Sequence, residues 1–262
     1  MAFANLLDPI LNPLLSLGPF WAILIISIFV SLFTVITYKY TTNQEHLHKV
    51  KAELKRLQEK SKQHTKEGNS AKAMKLQKEM MKLNGQYMKA SMKSTLYTFL
   101  PLIIFFGWLG AHLAFAPLVP GVPFSVNVTP TTGLTGEFTL EVPQGFSIIG
   151  NATKPVSQMV SWSVVANTTG SSGLTIRHSS SGEEQFVPVI ISKGYDYEEP
   201  LHKIDSSQAF STILLGNEKL LIFKGIPLLG SIPWIKNWGW FGAYFLFSIV
   251  FSTALRKAMK LA

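Results

Sequence analysis

The sequence predicts an α-helical membrane protein with three transmembrane helices, a cytoplasmic antiparallel coiled-coil hairpin and an inserted extracellular all-β sandwich domain. Three observations carry this. Apolar residues of the 262-residue chain are concentrated in three uncharged blocks, each about the roughly 20 residues that span a bilayer. Lys and Arg are crowded into one connecting segment and the tail. From about Leu118 to Leu201 the texture changes to short β-favouring runs broken by Gly, Asn, Ser and Pro.

Residues 1–16 hold most of "LLDPILNPLLSLGPFW", apolar clusters alternating with prolines, which is expected to lie along the outer interface as broken helical turns. The first span, 17–38, contains "FWAILIISIFVSLFTVITY". A cleaved signal peptide is the alternative for this block. No basic region precedes it, Asp8 does, and it is too long for a signal core, so retention is expected.

Residues 39–93 form the basic hairpin. Leu47, Val50, Leu54 and Leu57, then Ala73, Leu76, Met80, Leu83, Tyr87 and Ala90, recur in alternating steps of three and four, the spacing of two helices that share a seam. Between them "QHTKEGNSAK" supplies the breakers Gly68 and Asn69 and a capping Ser70, which centres the fold-back near Glu67 and Gly68. Each seam is short, so the hairpin is marginal unless docked. Met74, Met81 and Met88 recur every seven residues about 130° from the seam's centre, and Met92 lies near the same face. Such methionines either pack elsewhere on the protein and dip into headgroups, or form a polarizable stripe that accepts many apolar segments. Lys75, Lys78, Lys82, Lys89 and Lys93 flank them.

The second span, 94–117, carries Pro101, Gly107 and Gly110, which predict a kink or a close neighbour. Residues 118–232 form the sandwich, with about seven strands expected in "PFSVNV", "GEFTLEV", "MVSWSVV", "GLTIRH", "QFVPVII", "AFSTILL" and "KLLIFKG". Asn127, Asn151 and Asn167 each open an N-x-S/T sequon, with Pro130 following the first. An interfacial approach rich in Trp, Gly and Pro and a third span occupy 233–255, and a basic tail occupies 256–262.

Charge orients the chain, since positive loops stay in the cytoplasm. Lys39 to Lys93 holds 14 basic residues against 5 acidic, the tail adds Arg256, Lys257 and Lys260, and Leu118 to Asn237 holds 7 basic against 9 acidic. The expected placement is the plasma membrane, with the N-terminus and sandwich outside and the hairpin and C-terminus inside. The basic cytoplasmic face suits anionic lipids or a structured RNA. With no cysteine there is no disulfide or thiolate chemistry.

No Asp, Glu, Lys or Arg lies within the spans, which argues against proton pumps, charge-coupled carriers and voltage sensors. What remains is mild polarity: Ser27, Ser31, Thr34 and Thr37 on one face of the first span, Thr95, Thr98 and His112 in the second, Ser248, Ser252 and Thr253 in the third. These residues either make helix contacts and bond their own carbonyls, or line a shallow hydrated groove. The six histidines are dispersed, and no P-loop, zinc-protease or nucleophile-elbow motif occurs. No enzyme, metal site or cofactor is expected, and the acidic loop with Asp196, Glu198, Glu199 and Asp205 reads as solvated.

The opening "DPILNPLLSLGPFWAILIISIFVSLFTVITYKYTTNQ" and the second-span entry "YMKASMKSTLYTFLPLIIFFGWL", with the order of spans and hairpin, resemble the archaeal branch of the Oxa/YidC membrane-protein insertase superfamily. The likeness covers about Asn5 to Pro117 and Asn237 to Ala262. It implies insertion of client transmembrane helices without ATP, by a three-helix core with a groove open to the cytoplasm and a hairpin that meets ribosome or client. On that reading Ser27, Ser31, Thr34, Thr37, Thr98, Ser248 and Ser252 are groove candidates, and Met81, Met88 and Met92 client contacts. Lys39, Lys55, Arg56, Lys60, Lys62, Lys66 and Lys72 are candidates for ribosome or lipid contact. The implied partners are nascent transmembrane segments, the ribosome, anionic lipids and the general translocon. Two features depart from the family: nothing charged lies between Asp8 and Lys39 where bacterial relatives carry a groove arginine, and archaeal members usually link the second and third spans briefly. The alternatives from other classes are a surface receptor or scaffold built on the sandwich, and an ion-conducting assembly.

Overall fold

The computed structural model describes residues 7–261; residues 1–6 of the expected outer segment and residue 262 of the tail lie outside the described residues. The chain divides into two compact units, residues 1–108 with 225–262, and residues 109–224.

The first unit is helical. Helix α1 (Asp8–Leu15) ends before Gly18, whose φ of 92° breaks the backbone, and Pro19 opens α2 (Pro19–Thr41) where its missing N–H costs nothing. The turn to α3 (Gln44–Lys66) is capped by Asn43, which accepts the His46 N–H at 3.0 Å. Gly68, at φ 74°, reverses the chain at the expected point, and Asn69, rather than the expected Ser70, caps α4 (Ser70–Leu113) by accepting the Lys72 N–H at 3.3 Å. Helix α4 runs 44 residues without interruption through Pro101, so the expected kink is not a break. A side chain at Gly107 would meet nothing within 4 Å, so no neighbour approaches there. A one-turn 3₁₀ helix at Leu229–Ser231 precedes α5 (Trp240–Ala258).

Among the described residues two helices, α2 and α4, are long and apolar enough to cross a membrane. Helix α5 has 19 residues, with Tyr, Ser, Thr, Arg and Lys among them, and does not join that pair. It packs along α2, with Phe20 edge-on to Phe247 at 5.5 Å. Helix α4 meets these two late in its apolar stretch, through Phe105 against Phe29 and Phe106 against Trp240, Phe241 and Tyr244. The Trp108 indole donates to Asp8 at 2.9 Å.

The second unit is β, and every pairing between its strands is antiparallel, with one isolated parallel bridge from Leu118 to Ile191. Nine strands, β1 (Phe124–Pro130), β2 (Glu137–Glu141), β3 (Phe146–Ile149), β4 (Thr153–Pro155), β5 (Val160–Ala166), β6 (Gly170–His178), β7 (Glu184–Ile191), β8 (Leu201–Lys203) and β9 (Phe210–Leu215), form two sheets ordered β3-β5-β1-β9-β8 and β4-β2-β6-β7. Alternating inward residues of both sheets, among them Val126, Phe138, Trp162, Leu174, Val187 and Phe210, share one core, as in a sandwich. Six of the seven expected runs are strands. The seventh, "KLLIFKG", makes one bridge from Lys219 to Phe115 and then turns at Gly225 (φ 83°), with Ile222 and Phe223 buried. The strands beyond expectation, β3, β4 and β8, have four, three and three residues and are all edges.

Polar groups in this unit are tied locally. His178 bonds Ser181 Oγ at 2.8 Å and the Thr135 carbonyl at 3.0 Å, a structural role. The Ser207 hydroxyl donates to Glu183 and holds its carboxyl below the ordinary carboxylate range, helped by the Ala209 and Gln208 N–H groups. Tyr197 donates to the Gly110 carbonyl and accepts from the Ala114 N–H, and burial pushes its phenol up.

Candidate interaction face along the long helix

Helix α4 presents two different faces. Ala73, Leu76, Met80, Leu83, Tyr87 and Ala90 are half-buried while nearly every other residue between Ser70 and Ala90 is exposed. On α3, Leu47, Val50 and Leu57 are buried and Leu54 is half-buried. These are the residues whose spacing predicts the seam. The two helices do not close along it, however: a cleft of about 630 Å³ opens between them, lined by His48, Lys51, Leu54, Lys55, Met80 and Asn84.

Away from this side Met74, Met81, Met88 and Met92 stand exposed, and the row continues through Leu96, Phe99 and Ile103, all seven between 50% and 70% exposed. At 100° per residue they fall within a band about 80° wide. The band runs from the hairpin into the apolar half of α4, its members seven residues apart from Met74 to Met88 and three or four apart from Met88 to Ile103, with Lys78 at its edge. Lys75, Lys78, Lys82, Lys89 and Lys93 line one flank only, whereas Gln77, Asn84, Ser91 and Thr95 line the other. A flexible thioether row beside ammonium groups is chemically suited to an apolar segment of variable shape.

The polar span positions separate into three groups. Ser27 and Ser31 are buried, and their hydroxyl oxygens have no hydrogen-bond partner. Ser248 Oγ is buried beside the Tyr244 phenol. Thr34 and Thr37 are half-buried. Thr98 bonds the Ser94 and Thr95 carbonyls at 3.2 and 3.1 Å, and Ser252 bonds the Ser248 carbonyl, so these two turn back on their own helices.

Lys39, Lys55, Arg56, Lys60, Lys62, Lys66 and Lys72 are all exposed. Arg56 pairs with Glu53 at 2.6 Å; among the described residues the other six make no ion pair. Asn151 and Asn167 lie in exposed turns and Asn127 lies within β1. No group of His, Asp and Glu among the described residues could hold a metal.

One junction escapes sequence reasoning. Tyr38 at the end of α2, Leu47 of α3, Tyr87 and Ala90 of α4, and Leu261 after α5 form one cluster. The Tyr38 and Tyr87 hydroxyls are 3.4 Å apart, the Arg256 guanidinium lies 4.6 Å from the Tyr38 ring centroid, and His48 Nε2 is 3.1 Å from the Lys260 carbonyl. The base of the hairpin is thus held by side chains from every long helix. A tyrosine at a span end is the only local signal for it.

No curated protein and no solved structure matches the chain significantly. The family model described as "Integral membrane protein EMC3/TMCO1-like" matches residues 5–169. That stretch contains α1 to α4 and strands β1 to β5, and ends before α5. More than half of the chain is covered by that match, and the protein therefore belongs to the EMC3/TMCO1-like integral membrane family, part of the Oxa1/YidC/Alb3 insertase superfamily.

Proposed function

We propose that this protein is a membrane insertase and chaperone that receives the transmembrane helices of client proteins on the exposed methionine row of α4 and passes them toward the bilayer. Family membership suggests a role in membrane-protein insertion or chaperoning. The observation that carries the rest is the continuity of the row, from Met74 on the hairpin to Ile103 in the apolar stretch. A segment bound at Met81 would stay in apolar contact all the way to lipid.

On this reading the chain is of the archaeal branch, α5 is the third span, and α3 with the first half of α4 forms a cytoplasmic coiled-coil hairpin open at its middle. The sandwich is extracellular, the membrane is the plasma membrane, and the C-terminal tail is cytoplasmic. The unpaired lysines of α3 face ribosomal RNA or anionic lipid, and the general translocon is a neighbour in the same task. Ser27, Ser31 and Ser248 form the polar lining of the groove. An unpartnered buried hydroxyl costs about 1–3 kcal/mol, and water or a passing polar client group would relieve that cost. No covalent step and no cofactor enters; the work is lowering the barrier to moving polar flanks through hydrocarbon.

The test is photocrosslinking from Met88 in membranes supplied with ribosomes stalled on a transmembrane segment that has just emerged. Crosslinking to that segment and not to a soluble nascent chain is expected. Silence at Met88, with Thr34 silent too, would overturn the proposal and favour the sandwich as a receptor or scaffold.

A further inference from the structure

The three sequons sit in different physical settings. Asn127 lies in the middle of β1, a strand flanked on both sides: it faces Ser161 of β5 and Leu214 of β9 in the two ladders. Its amide donates to Ser125 Oγ at 3.1 Å, and Pro130 follows the acceptor threonine. For a transferase to reach this asparagine, the strand would have to leave both neighbours and expose paired backbone groups.

Asn167, Thr168 and Thr169 are each exposed and form the turn between β5 and β6, closed by Gly170 at φ 143°. Asn151 is exposed directly after Gly150 (φ 97°), on the segment that leaves β3 and enters β4. Strand β3 is an edge of one sheet and β4 an edge of the other. Asn151 therefore stands at the crossover between two strand edges. Unpaired edges invite pairing with other chains. The opposite edge of the second sheet is managed differently, by Pro188 within β7 and by Leu118 bridging Ile191.

We propose that Asn167 and Asn151 carry N-linked oligosaccharides, that Asn127 does not, and that the glycan on Asn151 shields the β3–β4 side of the sandwich. The donor is an oligosaccharide carried on a polyprenyl phosphate or diphosphate. The asparagine Nδ2 forms a bond to the anomeric carbon, the bond from that carbon to the phosphate oxygen breaks, the lipid phosphate leaves, and the amide proton passes to the transferase's base. This inference rests on the extracellular placement of the sandwich given above.

The experiment uses the full chain in its own cells. Because the chain has no cysteine, Ser171→Cys, at an exposed position, reports the side of the domain by labelling intact cells with a membrane-impermeant maleimide. In parallel the intact mass is measured for the wild type and for Asn127→Gln, Asn151→Gln and Asn167→Gln. Labelling at position 171 with two glycan masses is expected, one lost in each of the Asn151 and Asn167 variants and none in the Asn127 variant. Labelling without glycans, or a glycan lost from Asn127→Gln, would overturn this inference and leave the insertase reading standing. Failure to label intact cells while disrupted cells label would place the sandwich inside and overturn both the orientation and the inference.

Discussion

Leu47→Ala is the sharpest probe of the hairpin. Helix α3 buries only Leu47, Val50 and Leu57, and each buried aliphatic side chain contributes about 1.5–3 kcal/mol, so the gross apolar stabilisation of α3 is roughly 5–9 kcal/mol before chain ordering is subtracted. Leu47 is fully buried and touches the Tyr38 cluster that joins the hairpin to the other helices. Truncation to Ala costs about 2–5 kcal/mol, the transfer loss plus the cavity left behind. That is at least roughly a fifth of the total. At about 1.4 kcal/mol per tenfold, protection of α3 amides against hydrogen exchange should fall by at least roughly 30-fold in the bilayer-embedded chain. Leu54→Ala is the internal control: Leu54 is half-buried beside the open cleft, so its exchange should change several-fold less. Equal effects of the two substitutions would refute the reasoning, because they would mean that the helices close along the whole seam. No change at Leu47→Ala would show that the junction does not hold α3.

Met81→Ser, Met88→Ser and Met92→Ser combined should weaken client crosslinking from a neighbouring probe at Gln77 by about tenfold, each methionine contributing about 0.5 kcal/mol of apolar contact; unchanged yield would remove the row from the mechanism. Gly216→Ala would drive a Cβ to 2.7 Å from Ser125 N and 3.0 Å from Ser125 O. Backbone cannot yield as a side-chain end can, so a loss of about 1–3 kcal/mol and a fall of roughly 4 °C or more in the sandwich's Tm are expected in calorimetry. The Glu183 pKa is lower folded than unfolded, so its bonds stabilise the domain above the unfolded pKa and that stability is lost as pH falls through the folded value. Glu183→Gln should flatten the acid limb of Tm against pH, and parallel limbs would exclude Glu183 as its cause.

Local periodicity revealed those parts of the fold whose cause is local. The turn at Gly68 is legible because one residue supplies both the positive φ and the break in helix propensity. The half-buried row Ala73 to Ala90 is legible because burial follows the helical repeat. The family resemblance was legible in the two long apolar helices that the family match includes. Strands β3, β4 and β8 are too short for a period of two to register. "KLLIFKG" has a strand's composition, yet Ile222 and Phe223 are buried in a turn. The Tyr38 junction joins residues from opposite ends of the chain, which no window of sequence can contain. The cleft beside Leu54 is invisible for the opposite reason, since a heptad pattern states which residues could meet and not whether the helices come close enough. Of the candidate polar positions, the back-bonded Thr98 and Ser252 and the unpartnered Ser27 and Ser31 have the same residue types and become distinguishable only with neighbours in place.

The unbroken course of α4 makes it a lever. About 45 Å of rigid rod, from Ser70 to Leu100 at 1.5 Å per residue, precedes Pro101. About 25 Å of it lies between the tip and the Tyr38 junction at Tyr87, so a load that pushes the Gly68 tip sideways by about 8 Å would tilt this arm by roughly 18°. The Tyr38 junction is the fulcrum, and a second restraint lies just past the proline, in the ring contacts of Phe105 and Phe106 and the Trp108 bond to Asp8. A sideways load at the tip would therefore act first on the junction and through it on the segment between Leu96 and Ile103, whose large apolar side chains are exposed. Were the tip to take up a client segment as proposed, contact there and displacement of the apolar half of α4 would be one mechanical event.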